Sequence, residues 1–145
     1  MTAAEIIAAA RECLGAPWRH QGRSLDTGLD CAGLVVHVAA VVGCEVIDIS
    51  GYGRSPAGGQ IEALLDAQPC LLRVLDIDER QPGDVLLMQF AGVSEPQHLA
   101  ILCEDELLVH AWATVRKVTE HRADAAWLAK VASIVRVYRF AELES

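Results

Sequence analysis

The sequence predicts one α+β domain, with helices in the N-terminal half packed on a C-terminal antiparallel sheet. Three observations carry this. Before residue 70 the apolar residues recur at helical spacing. From residue 70 onward they gather in short runs separated by turn residues. The chain has 145 residues and no repeat or low-complexity tract, which suits a single domain, residues 1–145, with one core.

The first helix is expected over residues 3–14, where Ile6, Ile7, Ala10 and Leu14 share a face. Thr2 is placed to cap it with Glu5 completing a capping box, and Gly15 and Pro17 stop it. Trp18 to Leu29 is polar and aperiodic, a loop long enough to suggest a role. Asp30 opens a second helix, Cys31 to Val42, ended by Gly43. It is apolar almost all round, as buried helices are. Its valines favour a strand, but its length favours a helix. Gly51 to Pro56 reads as turns, and a third helix is expected over 57–67, with Ile61, Leu64 and Leu65 facing inward.

Strands are expected at Cys70–Leu75, at Val85–Phe90 after the turn Gln81-Pro82-Gly83-Asp84, and at Ala132–Phe140. His98–Cys103 and Leu107–Trp112 flank the acidic turn Glu104-Asp105-Glu106 and read as a hairpin. Val115–Thr119 extends the sheet, and Ala123–Lys130 forms a short helix.

Composition excludes several functions. A formal charge of −8 argues against a nucleic-acid partner, which calls for basic residues on phosphates. No apolar run approaches the roughly 20 residues of a membrane span. Met1 to Glu5 offers no basic region before an apolar stretch, so no signal peptide is expected and synthesis is placed in the cytoplasm. The five cysteines are odd in number and form no CxxC pair, against both a disulfide framework and a zinc knuckle.

The sharpest local feature is Leu29-Asp30-Cys31-Ala32-Gly33-Leu34-Val35. It puts a cysteine in the first turn of a buried helix, where free N–H groups and the helix dipole favour a thiolate. Asp30 is a good N-cap, and Gly33 permits a close approach. The alternative is that Cys31 is a small core residue. A nucleophilic thiol needs a base, and the base an orienting group. A hairpin turning at Glu104–Glu106 pairs positions that sum to about 208–210, so His98 and His110 lie opposite or diagonal on one face. One could then hold the other while it serves the thiol; otherwise they are two half-buried sheet histidines. Cys31, His98 and His110 could together ligate zinc, but no fourth ligand is indicated. His37 reads as a satisfied core histidine, His121 as surface, and His20 as either a cleft residue or plain loop.

Leu14-Gly15-Ala16-Pro17-Trp18, Asp30-Cys31-Ala32-Gly33-Leu34-Val35, Gln81-Pro82-Gly83-Asp84-Val85-Leu86, His98-Leu99-Ala100-Ile101 and Val109-His110-Ala111 occur in that order. Together they resemble the NlpC-type bacterial cell-wall peptidases, a papain-like family, from about residue 4 to 140. The resemblance implies a papain-like fold with Cys31 as nucleophile, His98 as base and His110 as the third polar residue. It implies no cofactor or metal. The implied activity is hydrolysis of an amide in peptidoglycan stem peptides, often between D-glutamate and a diamino acid. Trp18-Arg19-His20-Gln21-Gly22-Arg23, Gly51-Tyr52-Gly53-Arg54 and the compact length are most similar to the short forms of phages, prophages and gene transfer agents. That likeness implies phage tail proteins as partners and a particle as the route to the wall. Trp18 stands where the family usually has tyrosine, Ala32 where serine is common, and no wall-binding domain is recognised. In the implied mechanism the Cys31 N–H is the oxyanion donor and Trp18 a second, while Asp30, Ala32 and His20 border the substrate. The competing expectation is a non-catalytic tail component with the same fold.

Overall fold

The computed structural model describes residues 1–48, 52 and 59–143. The turn expected at Gly51–Pro56 therefore lies outside the described residues apart from Tyr52, as do residues 57 and 58 of the third expected helix.

Helix α1 spans Ala3–Arg11, and its capping box forms: the Thr2 hydroxyl accepts the Glu5 N–H at 3.2 Å, and the Glu5 carboxylate accepts the Thr2 N–H at 3.3 Å. It ends earlier than expected because the chain is handed to the sheet. Gly15, at φ +86°, donates its N–H to the Val118 carbonyl at 3.0 Å. The long loop carries a small hairpin, β1 (Arg23–Ser24) with β2 (Gly28–Leu29), and leads into helix α2, Cys31–Val41. Helix α3 covers Gln60–Asp66 with Ile61, Leu64 and Leu65 buried, as expected.

The remaining strands are β3 (Leu71–Val74), β4 (Val85–Phe90), β5 (His98–Leu102), β6 (Leu107–Trp112), β7 (Lys117–Arg122) and β8 (Ala132–Phe140), with helix α4 (Ala125–Lys130) before the last. They form one antiparallel sheet in the order β3-β8-β4-β5-β6-β7. β7 begins at Lys117 rather than Val115. Residues 113–116 close the turn, with Arg116 at φ +63° and its N–H on the Trp112 carbonyl.

Strand alternation splits the apolar residues of the sheet between two cores. Leu87, Leu99, Ile101, Val109 and Tyr138 meet Ile6, Leu34 and Val38 from α1 and α2. Leu86, Met88, Ala100, Leu102, Leu108 and Val137 meet Trp127 and Leu128 of α4 on the other face. β4 and β5 are thus covered on both sides, which explains the continuous apolar runs of Val85–Met88 and Leu99–Leu102. The chain is an α+β domain with its N-terminal helices on an antiparallel sheet, as the sequence indicates; α4 adds a layer behind.

One ion pair pins the entry to β4. Asp84 is fully buried, accepts the Gln81 N–H at 2.8 Å, and takes two hydrogen bonds from the Arg139 guanidinium, both at 2.9 Å. Removing one partner of such a pair strands the other. Asp84→Ala is therefore expected to lower unfolding free energy by about 2–3 kcal/mol. Urea denaturation checks this, and a loss of a few tenths would show that the pair contributes little.

Candidate active site

The site is built around the start of α2. Asp30 is extended, at φ −96° and ψ −173°, and its carboxylate accepts the Gly33 N–H at 2.8 Å as an N-cap. The same carboxylate accepts the Gln21 N–H at 2.8 Å, the Arg23 guanidinium at 3.0 Å and the Tyr52 hydroxyl at 2.5 Å. A side chain on Gly33 would collide with the Gly22 carbonyl, so the loop lies directly on the helix's first turn.

Cys31 is the first residue of that helix and is half-buried. Its thiol donates to the Gln97 carbonyl at 3.9 Å. Burial, and then the neighbouring Asp30 carboxylate, push the thiol up to about 12, against the pull of the backbone N–H groups of Leu99, Ala32 and Cys31 itself. The helix start alone led us to expect a lowered value; here desolvation outweighs it.

His98 opens β5 and is 4% exposed, while His110 on β6 is fully buried. Ile101 pairs with Val109, which makes the two histidines diagonal neighbours on one face. His98 Nε2 and His110 Nδ1 are 2.6 Å apart, so Nδ1 is the nitrogen His98 has left. Phe90 packs on the His98 ring at 4.9 Å between centroids, and Trp112 stacks on His110 at 5.3 Å. Burial pulls His98 down to about 3 and His110 to about 2, so both are neutral near pH 7.

Cys31 and His98 open onto one cleft of about 470 Å³, walled by Trp18, Phe90 and Trp112 and also lined by His20 and Lys130. Trp18 and His20 thus stand in the cleft. The Trp18 backbone N–H is already given to the Arg116 carbonyl at 2.9 Å, which leaves its indole N–H as donor. Asp30 borders the cleft, but four protein donors fill its carboxylate. Ala32 does not line the cleft; it is 1% exposed in the core between helices and sheet. Among the described residues no group of three or more His, Cys, Asp and Glu is arranged to hold a metal.

Two site residues escaped the sequence reading. His121, taken as surface, is half-buried, and its Nε2 lies 2.8 Å from His110 Nε2. The signal was the next register: His110 pairs with Thr119, so His121 is its diagonal neighbour on the same face. Tyr52, whose hydroxyl also accepts from Arg23 at 2.8 Å, comes from a segment read as turns, in which nothing local links it to Asp30. His37 is not the satisfied core residue expected. It is half-buried and its Nε2 makes no hydrogen bond, with the Glu12 carboxylate 3.8 Å away.

The profile of the NlpC/P60 family matches residues 15–137, and the chain belongs to that family. No functionally curated protein matches it in sequence. Among solved structures it is similar to the NlpC/p60 domain of the peptidoglycan hydrolase SagA, at 20% identity and TM-score 0.63, covering 94% of this chain and 97% of that one. It is similar to the peptidoglycan hydrolase RipB from Mycobacterium tuberculosis, at 19% identity and TM-score 0.64, covering 94% of this chain and 63% of that one. It is also similar to RipD from the same organism, a non-catalytic NlpC/p60 domain protein adapted to peptidoglycan binding, at 16% identity and TM-score 0.58, covering 96% of both chains. Several relatives are longer, and this chain spans only 42% and 40% of two of them. The fold is therefore that of the NlpC/P60 peptidoglycan hydrolases. No helix among the described residues is long and apolar enough to cross a membrane.

Two expectations follow from these ionisations. Alkylation of Cys31 by iodoacetamide, followed on its own peptide by mass spectrometry, should climb steadily above about pH 8. A plateau reached below about pH 6 would mean a preformed thiolate. The histidines set the second. In the unfolded chain they bind protons near pH 6.5; folded, they resist protonation down to about 3 and 2. Between those values the unfolded state holds more protons, so stability falls as pH drops below about 6.5, by up to about 1.4 kcal/mol per unit for each histidine. Urea midpoints near pH 7.5 and pH 5 should show a smaller drop for His110→Gln than for the parent; an equal drop contradicts the assignment.

Proposed function

We propose that this chain is an active cysteine peptidase that hydrolyses an amide in peptidoglycan stem peptides, of the D-glutamyl–diamino acid type. One observation carries the reading: His98, held at 2.6 Å by the buried His110, lines the same cleft as a cysteine at a helix N-terminus. A scaffold that only binds wall peptides needs none of these three groups, and RipD shows that this fold also exists in a non-catalytic form.

In this reading the ground state is a neutral thiol beside a neutral imidazole. Cys31 turns from the Gln97 carbonyl and passes its proton to His98 Nδ1 as sulfur attacks the scissile carbonyl. The oxyanion faces the Cys31 N–H, with the Trp18 indole N–H as second donor. The C–N bond then breaks, and the leaving amine takes the proton from His98. Water attacks the thioester and yields its proton to His98, which releases the acid and returns the thiol. His110 holds His98 Nε2 throughout. The steps call for no metal or cofactor.

We also place the protein in a phage-like tail, on the likeness of Trp18–Arg23 and of Gly51–Arg54 to the short tail-associated forms. Peptides of this chain should then co-purify with tail proteins in particles from the source bacterium.

The catalytic assignment is tested by turnover of a γ-D-glutamyl–diaminopimelate stem peptide, read by mass spectrometry. Folded Cys31→Ala and His98→Ala should each lose at least about a thousandfold in kcat, and His110→Ala about ten- to a thousandfold. A Cys31→Ala variant as active as the parent would sink the assignment.

A further inference from the structure

The hydrogen-bonded chain of imidazoles does not stop at His110. His98 Nε2 meets His110 Nδ1 at 2.6 Å, His110 Nε2 meets His121 Nε2 at 2.8 Å, and His121 Nδ1 meets the Arg122 carbonyl oxygen at 3.2 Å. We propose that His121 is a positioning residue: it ends a three-imidazole relay, and the Arg122 carbonyl sets the tautomer of every member up to His98.

The direction follows from counting donors. A carbonyl oxygen only accepts, so His121 Nδ1 carries the proton. In a neutral imidazole the other nitrogen is then an acceptor, so His121 Nε2 receives the His110 Nε2–H. His110 Nδ1 in turn receives the His98 Nε2–H, and His98 Nδ1 is left with a lone pair. That is the nitrogen a general base must offer the Cys31 thiol. With His110 alone, both ring orientations of the proton are open and the tautomer of His98 is free; a backbone oxygen at the far end removes the choice.

The relay also gives the transferred proton somewhere to go. When His98 Nδ1 takes the thiol proton, the charge would sit on an imidazole that burial keeps neutral. The Nε2 proton of His98 can shift to His110 Nδ1, and the Nε2 proton of His110 to His121 Nε2. One proton enters at His98 Nδ1 and one charge is left at His121; the reverse shift returns a proton to His98 Nε2 as Nδ1 gives the thiol proton to the leaving amine. His121 is less buried than the other two, and its ring lies 4.8 Å from Trp127 and 5.8 Å from Trp112, within the range at which aromatic rings attract a cation. α4, which carries Trp127, thereby becomes part of the site's support.

The proposal rests on the reading of Cys31 and His98 as the catalytic pair, so the deciding readout is independent of activity. Nitrogen-15 spectra of histidine-labelled wild-type protein near pH 7.5 should show His121 protonated on Nδ1, and His110 and His98 on Nε2. The opposite tautomer at any of the three overturns the relay, whether or not stem peptides are cleaved. His121→Leu removes the acceptor and should bring the Nδ1–H tautomer of His98 into the spectrum, while His121→Gln, whose side-chain oxygen accepts, should restore the Nε2–H form. On the stem peptide His121→Leu should lose about ten- to a hundredfold in kcat with KM within about twofold, and His121→Gln should recover most of it. An unchanged His98 tautomer in folded His121→Leu overturns the proposal. Correct tautomers in a protein that cleaves nothing would uphold the relay and count only against the peptidase reading.

Discussion

The carboxylate of Asp30 is the contact on which the site depends. It is 5% exposed and receives four donors from three parts of the chain: the α2 backbone at Gly33, the loop at Gln21 and Arg23, and the Tyr52 hydroxyl. A buried carboxylate is costly unless its lone pairs are met, and here they are. Its location therefore dictates where the helix starts, how the Trp18–Leu29 loop lies over it, and where Cys31 emerges. The same charge raises the thiol's affinity for its proton. The anchor that positions the Cys31 thiol thus also favours its protonated form.

His98 comes from the other layer of the molecule. Period-two alternation sends Leu99 and Ile101 toward the helices and His98 toward the face that α4 covers. On that face the β5–β6 and β6–β7 registers place His98, His110 and His121 on successive strands, each diagonal to the next. Phe90, Trp112 and Trp127 pack on these rings, and burial keeps His98 and His110 neutral and leaves their hydrogen bonds to one another and to His121 as the way to satisfy them. Burial is the largest cause of both the neutral thiol and the neutral imidazoles, and the Asp30 carboxylate adds to the first.

Much of this was legible in the sequence where the signal is local. The capping box at Thr2 and Glu5, the Asp30 cap, the Cys31 helix and the hairpin about Glu104–Glu106 are each specified by residues within a few positions of one another. Counting across that turn was enough to put His98 and His110 on one face. What escaped depends on distance. The start of β7 at Lys117 requires the turn conformation at Arg116, and without that register His121 looks like surface. The inward-facing Ala32, the bond from Tyr52 to Asp30 and the saturation of the Asp30 carboxylate arise from packing between segments far apart in the chain. The raised thiol is of the same kind: a helix terminus is visible in a sequence, and the depth at which it is buried is not.

The most direct measurement of whether the pair of Cys31 and His98 does chemistry is covalent capture. A γ-D-glutamyl peptide with a diazomethyl ketone in place of the scissile amide would be incubated with the protein, and the adduct mapped by mass spectrometry. The expected result is one adduct, on Cys31 and on none of Cys13, Cys44, Cys70 or Cys103, suppressed by excess unmodified stem peptide and lost in a folded His98→Ala variant. A protein that binds the stem peptide yet leaves Cys31 unmodified would contradict the hydrolase account and place the chain with the wall-binding, non-catalytic members of its fold.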